Sequence, residues 1–533
     1  MFKNIILFFA LYVSSVLSRD VTFKVISFGS KTQLKIVDGS KYNLPLAKND
    51  DILYGGKVKN LPDTDIKYYY IVDGVKEPFT RIIPLNKSNT GNEFFGREQT
   101  VQELQEFSYP DNHWNRATED TPLFDTSYIP TVHIVGGDAD KFFTKPKKNN
   151  DFIMEKVTFY FKDKKKVVKN VKTTCKNKNV PKFQIKMKFD EEVYGRNILK
   201  FRNSGEDPTN LRQFVYGNMI HALGMPSLRS NMVRVYYNKK PAGFYVLQDE
   251  AYSEGFLRTE FYNNDDSNSI GCAYDGTCGA DVDYPGDETY GPFDLATCDT
   301  KAPLMKLGEA LSKLDPKNAN QVKEYEKKWF DIDTFHKAMA IEYLTGDWDG
   351  YWFATSNYVL YNDPSESNGS SSYKFYFLTQ DHDETFGIGL EPPHNNDGMN
   401  FTKLSYKTML RNKWHVGEDD AEHRVLVDKF IGGSPALQSR FENTLKNIVK
   451  NIFNPKQYDR VLNSYFERYE AEMNWDYSFE RAYKPTDDDG PRIFSLEEAK
   501  KNINGPIDGV NWGIKDFVKQ RAEALKAEFN ITY

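Results

Sequence analysis

The apolar residues change their spacing once along the chain, and that change limits the fold more than any single motif. Short alternating runs, Thr22-Phe23-Lys24-Val25-Ile26, Gln33-Leu34-Lys35-Ile36-Val37 and Tyr68-Tyr69-Tyr70-Ile71-Val72, are separated by Asp-Gly and Gly-Gly turns and predict an antiparallel β-sandwich over residues 19–107. A polar, proline-containing stretch around Trp114, residues 108–128, reads as a linker. The β pattern resumes over 129–250, with strands near 131–136, 154–161, 183–189 and 197–202, and a hairpin whose second strand runs into Asp249-Glu250. One helix interrupts it, with Asp207 as its cap and Pro208 at its first position. From Pro303 onward helical spacing dominates, so 251–533 is read as a helical half. There Asp333 caps a helix that ends at Gly346, and further helices lie near 421–431, 434–451, 455–473 and 513–528. Strands first and helices later is the signature of an α+β protein, and 533 residues can bury more than one core.

Met1-Phe2-Lys3-Asn4 followed by an apolar run from Ile5 to Val13 fits a secretory signal over residues 1–18, too short to remain as a membrane anchor. Four glycosylation sequons, at Asn86, Asn368, Asn400 and Asn530, suit the same route and predict a secreted or cell-surface glycoprotein without a transmembrane segment. In an oxidising compartment Cys175, Cys272, Cys278 and Cys298 predict two disulfides, with one bridge stapling an insertion near 260–300 and the pairing left open. A formal net charge of −6 argues against nucleic acid as a partner. The basic run at 145–148 and 162–172 reads as a solvated loop and hairpin edge, and Pro485 to Pro491 as a turn-rich loop rather than a calcium site.

Two acidic clusters, Asp347-Trp348-Asp349 and Asp381-His382-Asp383-Glu384, flank the segment Asn357-Tyr358-Val359-Leu360-Tyr361. Mg²⁺ takes a few carboxylate or amide oxygens and completes its shell with water and substrate phosphates. Phosphoryl transfer adds a cation on the phosphates and one carboxylate to orient the attacking hydroxyl. Asp349, Asn357 and Asp381/Asp383 follow the order base, Asn, metal Asp seen in protein kinases, and the second cluster ends in Thr385-Phe386-Gly387.

Gly346-Asp347-Trp348-Asp349-Gly350-Tyr351, Ser356-Asn357-Tyr358-Val359-Leu360-Tyr361 and Asp381 to Gly387 resemble the signature of the spore-coat protein H (CotH) kinase-like family, as do Lys182 to Lys186, Gly195 to Arg202, Asp207 to Arg212 and Gly243 to Leu247 upstream. The resemblance implies a secreted, atypical bilobal kinase-like region, 129–250 its N-lobe and 251–533 its C-lobe, moving phosphate from ATP with Mg²⁺ or Mn²⁺ onto Ser or Thr of extracellular proteins. Carried over, Asp349 is the catalytic carboxylate, Asn357, Asp381 and Asp383 hold metal, and Lys186 with Arg212 holds phosphates. By analogy Asp249 or Glu250, entering the C-lobe, touches the adenosine. Two positions depart from the pattern: Gln184 stands where relatives often carry Arg, and His382 separates the two aspartates, which predicts pH-sensitive metal loading. The rival expectation is an adhesin that keeps the scaffold and binds a glycan or host-surface ligand through 19–107; a metal-dependent hydrolase gives Asn357 and Lys186 no task.

Overall fold

A computed structural model describes residues 18–533 except 38–40, 45–51, 111–113, 119–120, 148–149, 370, 412–413, 417–418, 422–423, 486–489 and 491. The expected signal, save its last residue, and most of the Pro485–Pro491 loop lie outside the described residues. The chain divides into two compact units, one holding the residues up to Gln102 with Tyr160–Lys165, the other Glu103–Phe159 with Lys166–Tyr533.

In the first unit β1 (Ser18–Ile26) lies between β4 (Leu53–Pro62) and β8 (Glu93–Phe94). A second sheet orders β3 (Lys41–Asn43), β2 (Thr32–Ile36), β5 (Ile66–Val72) and β6 (Val75–Lys76), with β7 (Arg81–Ile83) also on β5. Val21, Phe23 and Val25 from one sheet meet Leu34, Tyr68 and Tyr70 from the other in one core, as the period of two dictates. The pairing of β8 with β1 is parallel, so the sandwich is mixed, not wholly antiparallel. Buried Tyr68 and Tyr70 donate their hydroxyls to Glu93 at 2.8 and 2.7 Å, and Arg81 pairs with Glu77 at 2.6 Å, so these aromatic rings fill a core whose polar tips are satisfied.

The second unit contains a closed seven-stranded barrel: β9 (Thr131–Val135), β10 (Phe152–Tyr160), β11 (Lys165–Lys176), β12 (Gln184–Val193), β13 (Arg196–Arg202), β14 (Ser230–Tyr237) and β15 (Lys240–Asp249). Around the barrel the order is β10-β11-β12-β13-β15-β14-β9. β11 falls in the lysine-rich stretch expected to be solvated, yet Val171, Thr173 and Cys175 alternate inward while Lys172 faces out. Trp114, expected in a linker, packs edge-on against Phe261 at 5.1 Å and Tyr376 at 5.7 Å. The interrupting helix runs Arg212–Ala222, later than expected, because the Asp207 carboxylate is spent on a turn: it accepts from Thr209 N at 2.9 Å and Arg212 N at 2.8 Å.

A four-stranded sheet, β17 (Phe293–Leu295), β16 (Ala273–Gly276), β18 (Tyr358–Asp363) and β19 (Lys374–Thr379) in that order, adjoins the helices Ile332–Thr345, Pro435–Asn451, Pro455–Tyr477 and Ile514–Phe529. Asp331, not Asp333, caps the first of these, accepting from Thr334 N at 2.8 Å, while Asp333 pairs one turn on with Lys337. One disulfide, Cys272–Cys298, ties the segments beside β16 and β17. The expected second bridge is absent: Cys175 is buried in β11 and Cys278 is exposed, so the two free thiols occupy different settings. Among the described residues no helix is long and apolar enough to cross a membrane, and all four sequon asparagines are exposed.

Inside the helix Ile332–Thr345, His336 is fully buried, with Nε2 2.7 Å from the Phe430 carbonyl and no hydrogen-bond partner for Nδ1. Burial pushes the imidazole down to about 4. The native state thus refuses a proton that the unfolded chain binds below about 6.5, so stability present above that pH is lost as pH falls towards 4, by about 3 kcal/mol for this group. Replacing His336 with leucine is expected to flatten the acid limb of the urea midpoint over that window; an unchanged slope would show that His336 does not set it.

Candidate active site

The helix Ile332–Thr345 ends at Gly346, whose φ of 63° turns the chain sharply and delivers Asp347 and Asp349. Glu342 holds this turn from below, accepting from Tyr351 N at 3.2 Å and Trp352 N at 2.8 Å. A Cβ on Gly350 would lie 2.8 Å from the Glu342 carboxyl carbon, so only glycine fits there. Thr355, Asn357, Asp381 and Phe386 all adopt positive φ without being glycine, and such strained backbone clusters where surrounding structure holds a site in place.

Asn357 donates its amide Nδ2 to the Asp349 carboxylate at 2.5 Å and to its carbonyl at 3.0 Å, fixing one against the other. β19 then empties through Gln380 into Asp381 and Asp383, and Arg202 at the end of β13 reaches both: Nη2 contacts Asp381 and lies 3.0 Å from each Asp383 oxygen. Burial opposes the charge on Asp381, but Arg202 holds its carboxyl well below the usual range; at Asp383 burial prevails and raises it to about 7. Burial, with Asp381 and Asp347 nearby, lifts Asp349 to about 7. Glu384 is raised to about 11, by burial and by its hydrogen bond with Glu206. The structure therefore gathers Asp349, Asn357, Asp381 and Asp383, all partly exposed, into one acidic cleft.

On the barrel side, Lys186 and Lys200 stand opposite one another in the β12–β13 ladder and both grip buried Glu250, at 2.8 and 2.5 Å. Burial works against the Glu250 charge and the two ammonium groups overcome it. The charge of Lys200 reaches Asp381, so this cluster and the acidic one share a field. A cavity of about 530 Å³ beside them is walled by Lys188, Asn197, Tyr252, Ser253, Glu254 and Asp275, among others. Gln380, the residue before Asp381, donates to Asp275 of its lining at 2.5 Å.

Three sequence expectations change. Asp249 is fully buried against Arg196 at 3.1 Å and Glu250 is buried under two lysines, so neither presents to an adenosine; the residues just beyond, Tyr252 to Glu254, line the cavity instead. Arg212 is fully buried, with its guanidinium spent on Asp207 at 2.6 Å, the Thr385 carbonyl at 2.9 Å and Asn502 at 2.8 Å; it braces the turn after Asp383 rather than aiming at a ligand. His382 is sealed from solvent, stacked on Tyr216 at 3.6 Å and bonded to Asp347 at 2.9 Å; burial pushes it down to about 3, so it does not titrate near neutrality. Sequence reasoning gave no role to Lys200, Arg202 or Glu206, although Lys200 and Arg202 share one face of an alternating strand.

Among the described residues no three His, Cys, Asp or Glu side chains form a ready metal cage. The donors still fit a hard divalent cation that brings other ligands: two neighbouring carboxylates that already require a positive partner, and an amide beside them. This α+β unit thus carries paired lysines on its barrel and an acidic cleft whose Asp381 feels the charge of Lys200.

Residues 175–525 match the family described as CotH kinase protein, and the chain belongs to that family. It is 28% identical to Spore coat protein homolog 1 of Rhizopus delemar, over 98% of this chain and 84% of that protein. It is 29% identical to Invasin CotH7 (88% and 76%) and 28% identical to Invasin CotH3 (87% and 77%) of the same organism.

Proposed function

We propose that this chain is a secreted protein kinase that transfers the γ-phosphoryl group of ATP to Ser or Thr hydroxyls of extracellular or cell-surface proteins. The observation that carries the reading is the link between two opposite clusters: Lys200, which shares Glu250 with Lys186, acts electrostatically on Asp381 in the cleft of Asp349, Asn357 and Asp383. In this reading the cavity takes the nucleoside and Tyr252 forms one wall. Lys186 and Lys200 neutralise phosphate charge, and Glu250 keeps both ammonium groups aimed. Asp381, Asp383 and the amide oxygen of Asn357 would hold Mg²⁺ or Mn²⁺, which supplies charge neutralisation across the phosphates. Asp349, steadied by Asn357, orients the acceptor hydroxyl and receives its proton as the new oxygen–phosphorus bond forms and the bond from the γ-phosphorus to the bridging oxygen breaks, releasing ADP. The bilobal division, with 129–250 and 251–533 as lobes, belongs to the same proposal. The exposed sequons, the disulfide and relatives named as spore coat protein and invasins support a site of action outside the cell.

The test is binding before turnover. A non-hydrolysable ATP analogue with Mn²⁺ is expected to raise the melting temperature of the wild type, and a Lys186→Met variant of normal fold should bind at least about tenfold more weakly. An equal response in both would remove Lys186 from the site.

The names of the invasins support a second reading, in which the scaffold serves adhesion through residues 19–107. It requires the intact chain to bind host-surface glycans or proteins as well after Asp383→Ala as before; loss of binding in that variant would count against it.

A further inference from the structure

Arg202 ends β13 with a side chain only 4% exposed, and among the described residues its hydrogen-bond partners are Asp381 and Asp383. One nitrogen, Nη2, makes all these bonds, whereas buried Nε has no partner. Arg212 shows the contrast: its nitrogens go to Asp207, Thr385 and Asn502, on three different segments, and it is locked in place. Arg202 is fastened at its tip, to the same carboxylates that fit a divalent cation.

The guanidinium sits on one oxygen of Asp381 and both of Asp383, so it competes with a divalent ion that would take those oxygens at about 2 Å. A metal arriving alone would push a buried arginine off its anions with no other anion to receive it. A polyphosphate changes the balance, since phosphate oxygens accept a guanidinium as well as a carboxylate does, and in bidentate fashion.

We propose that Arg202 is a resident counter-ion that competes with the divalent cation for Asp381 and Asp383, so that metal loads tightly only with a polyphosphate that takes the guanidinium over. The inference rests on the reading of this cleft as a metal and nucleotide site. It makes nucleotide a requirement for metal loading rather than a passenger on a preformed metal centre, and it assigns Arg202 as a positioning residue that keeps two like charges together until metal and nucleotide arrive.

Mn²⁺ alone is titrated into the full chain and into Arg202→Met, with free Mn²⁺ read by electron paramagnetic resonance and the fold checked by thermal unfolding. The variant is expected to bind Mn²⁺ at least about tenfold more tightly than wild type, and to gain less than about threefold from a non-hydrolysable ATP analogue that helps the wild type by tenfold or more. Arg202→Lys keeps a buried cation but not the planar fork, and serves if the methionine variant does not fold; its Mn²⁺ affinity should rise at least about threefold. Unchanged Mn²⁺ affinity in the folded variant overturns the proposal, as does a wild type that binds Mn²⁺ equally with and without the analogue. Metal affinity is read without any transfer step, so these shifts in a chain that never phosphorylates a protein would sink the kinase reading and leave this one standing.

Discussion

Asp383→Ala is expected to lower phosphoryl transfer by about 10³-fold, several kcal/mol of transition-state stabilisation, while moving the melting temperature by only a few degrees. The separation of the two effects follows from Arg202. In the wild type one buried guanidinium faces two carboxylates, so removing Asp383 leaves Arg202 paired with Asp381 and takes away a carboxyl that burial, with Asp381 beside it, raises to about 7. No buried charge is stranded. The same change takes away a carboxylate that a cation on the phosphates would need. Rates measured at saturating metal and ATP, alongside the melt, check both halves; a folded variant with more than about a tenth of wild-type activity would mean that Asp383 is not a metal ligand.

Arg212→Met should have the opposite profile. Its guanidinium joins Asp207, in the turn before the helix Arg212–Ala222, to the Thr385 carbonyl in the turn after Asp383 and to Asn502. Removing it strands the buried Asp207 carboxylate without its cation and leaves a buried carbonyl short of a donor, a change of about 3–5 kcal/mol. Urea unfolding is expected to show that loss, and Asp207→Asn added to Arg212→Met should restore part of it because no charge remains to be stranded. Normal stability with transfer abolished would return Arg212 to the nucleotide, as its position in the sequence suggests.

The contrast between Arg212 and Arg202 shows where sequence reading stops. The acidic clusters were legible because their spacing around Asn357 is local, set by one helix end, one strand and one turn. The α+β class was legible because period two and period 3.6 are local as well. Which cation meets which anion depends on register across the sheet. Counting back from the Tyr194-Gly195 turn would set Asn203 opposite Lys186; an irregularity between Lys188 and Val193 shifts the ladder and brings Lys200 there instead. That shift, invisible in the sequence, pairs two lysines over Glu250. β11 was read only as a solvated hairpin edge because its lysines mask an inward alternation, and Asp333 displaced Asp331 as the expected cap because both are acidic residues beside the same helix start. Long-range burial decides the rest: Asp249 and His382 look available in the sequence and are sealed in the structure.

Movement of a terminal phosphoryl group from ATP to a protein hydroxyl in this cleft is tested with two labels. The purified chain is incubated with Mg²⁺ or Mn²⁺ and a generic acceptor protein, once with ATP labelled at the γ-phosphate and once at the α-phosphate. Label from the γ position on Ser or Thr, with none from the α position and none from either with Asp383→Ala, is the expected result. Transfer of the α label, or no transfer from either under conditions where the ATP analogue binds, would contradict it.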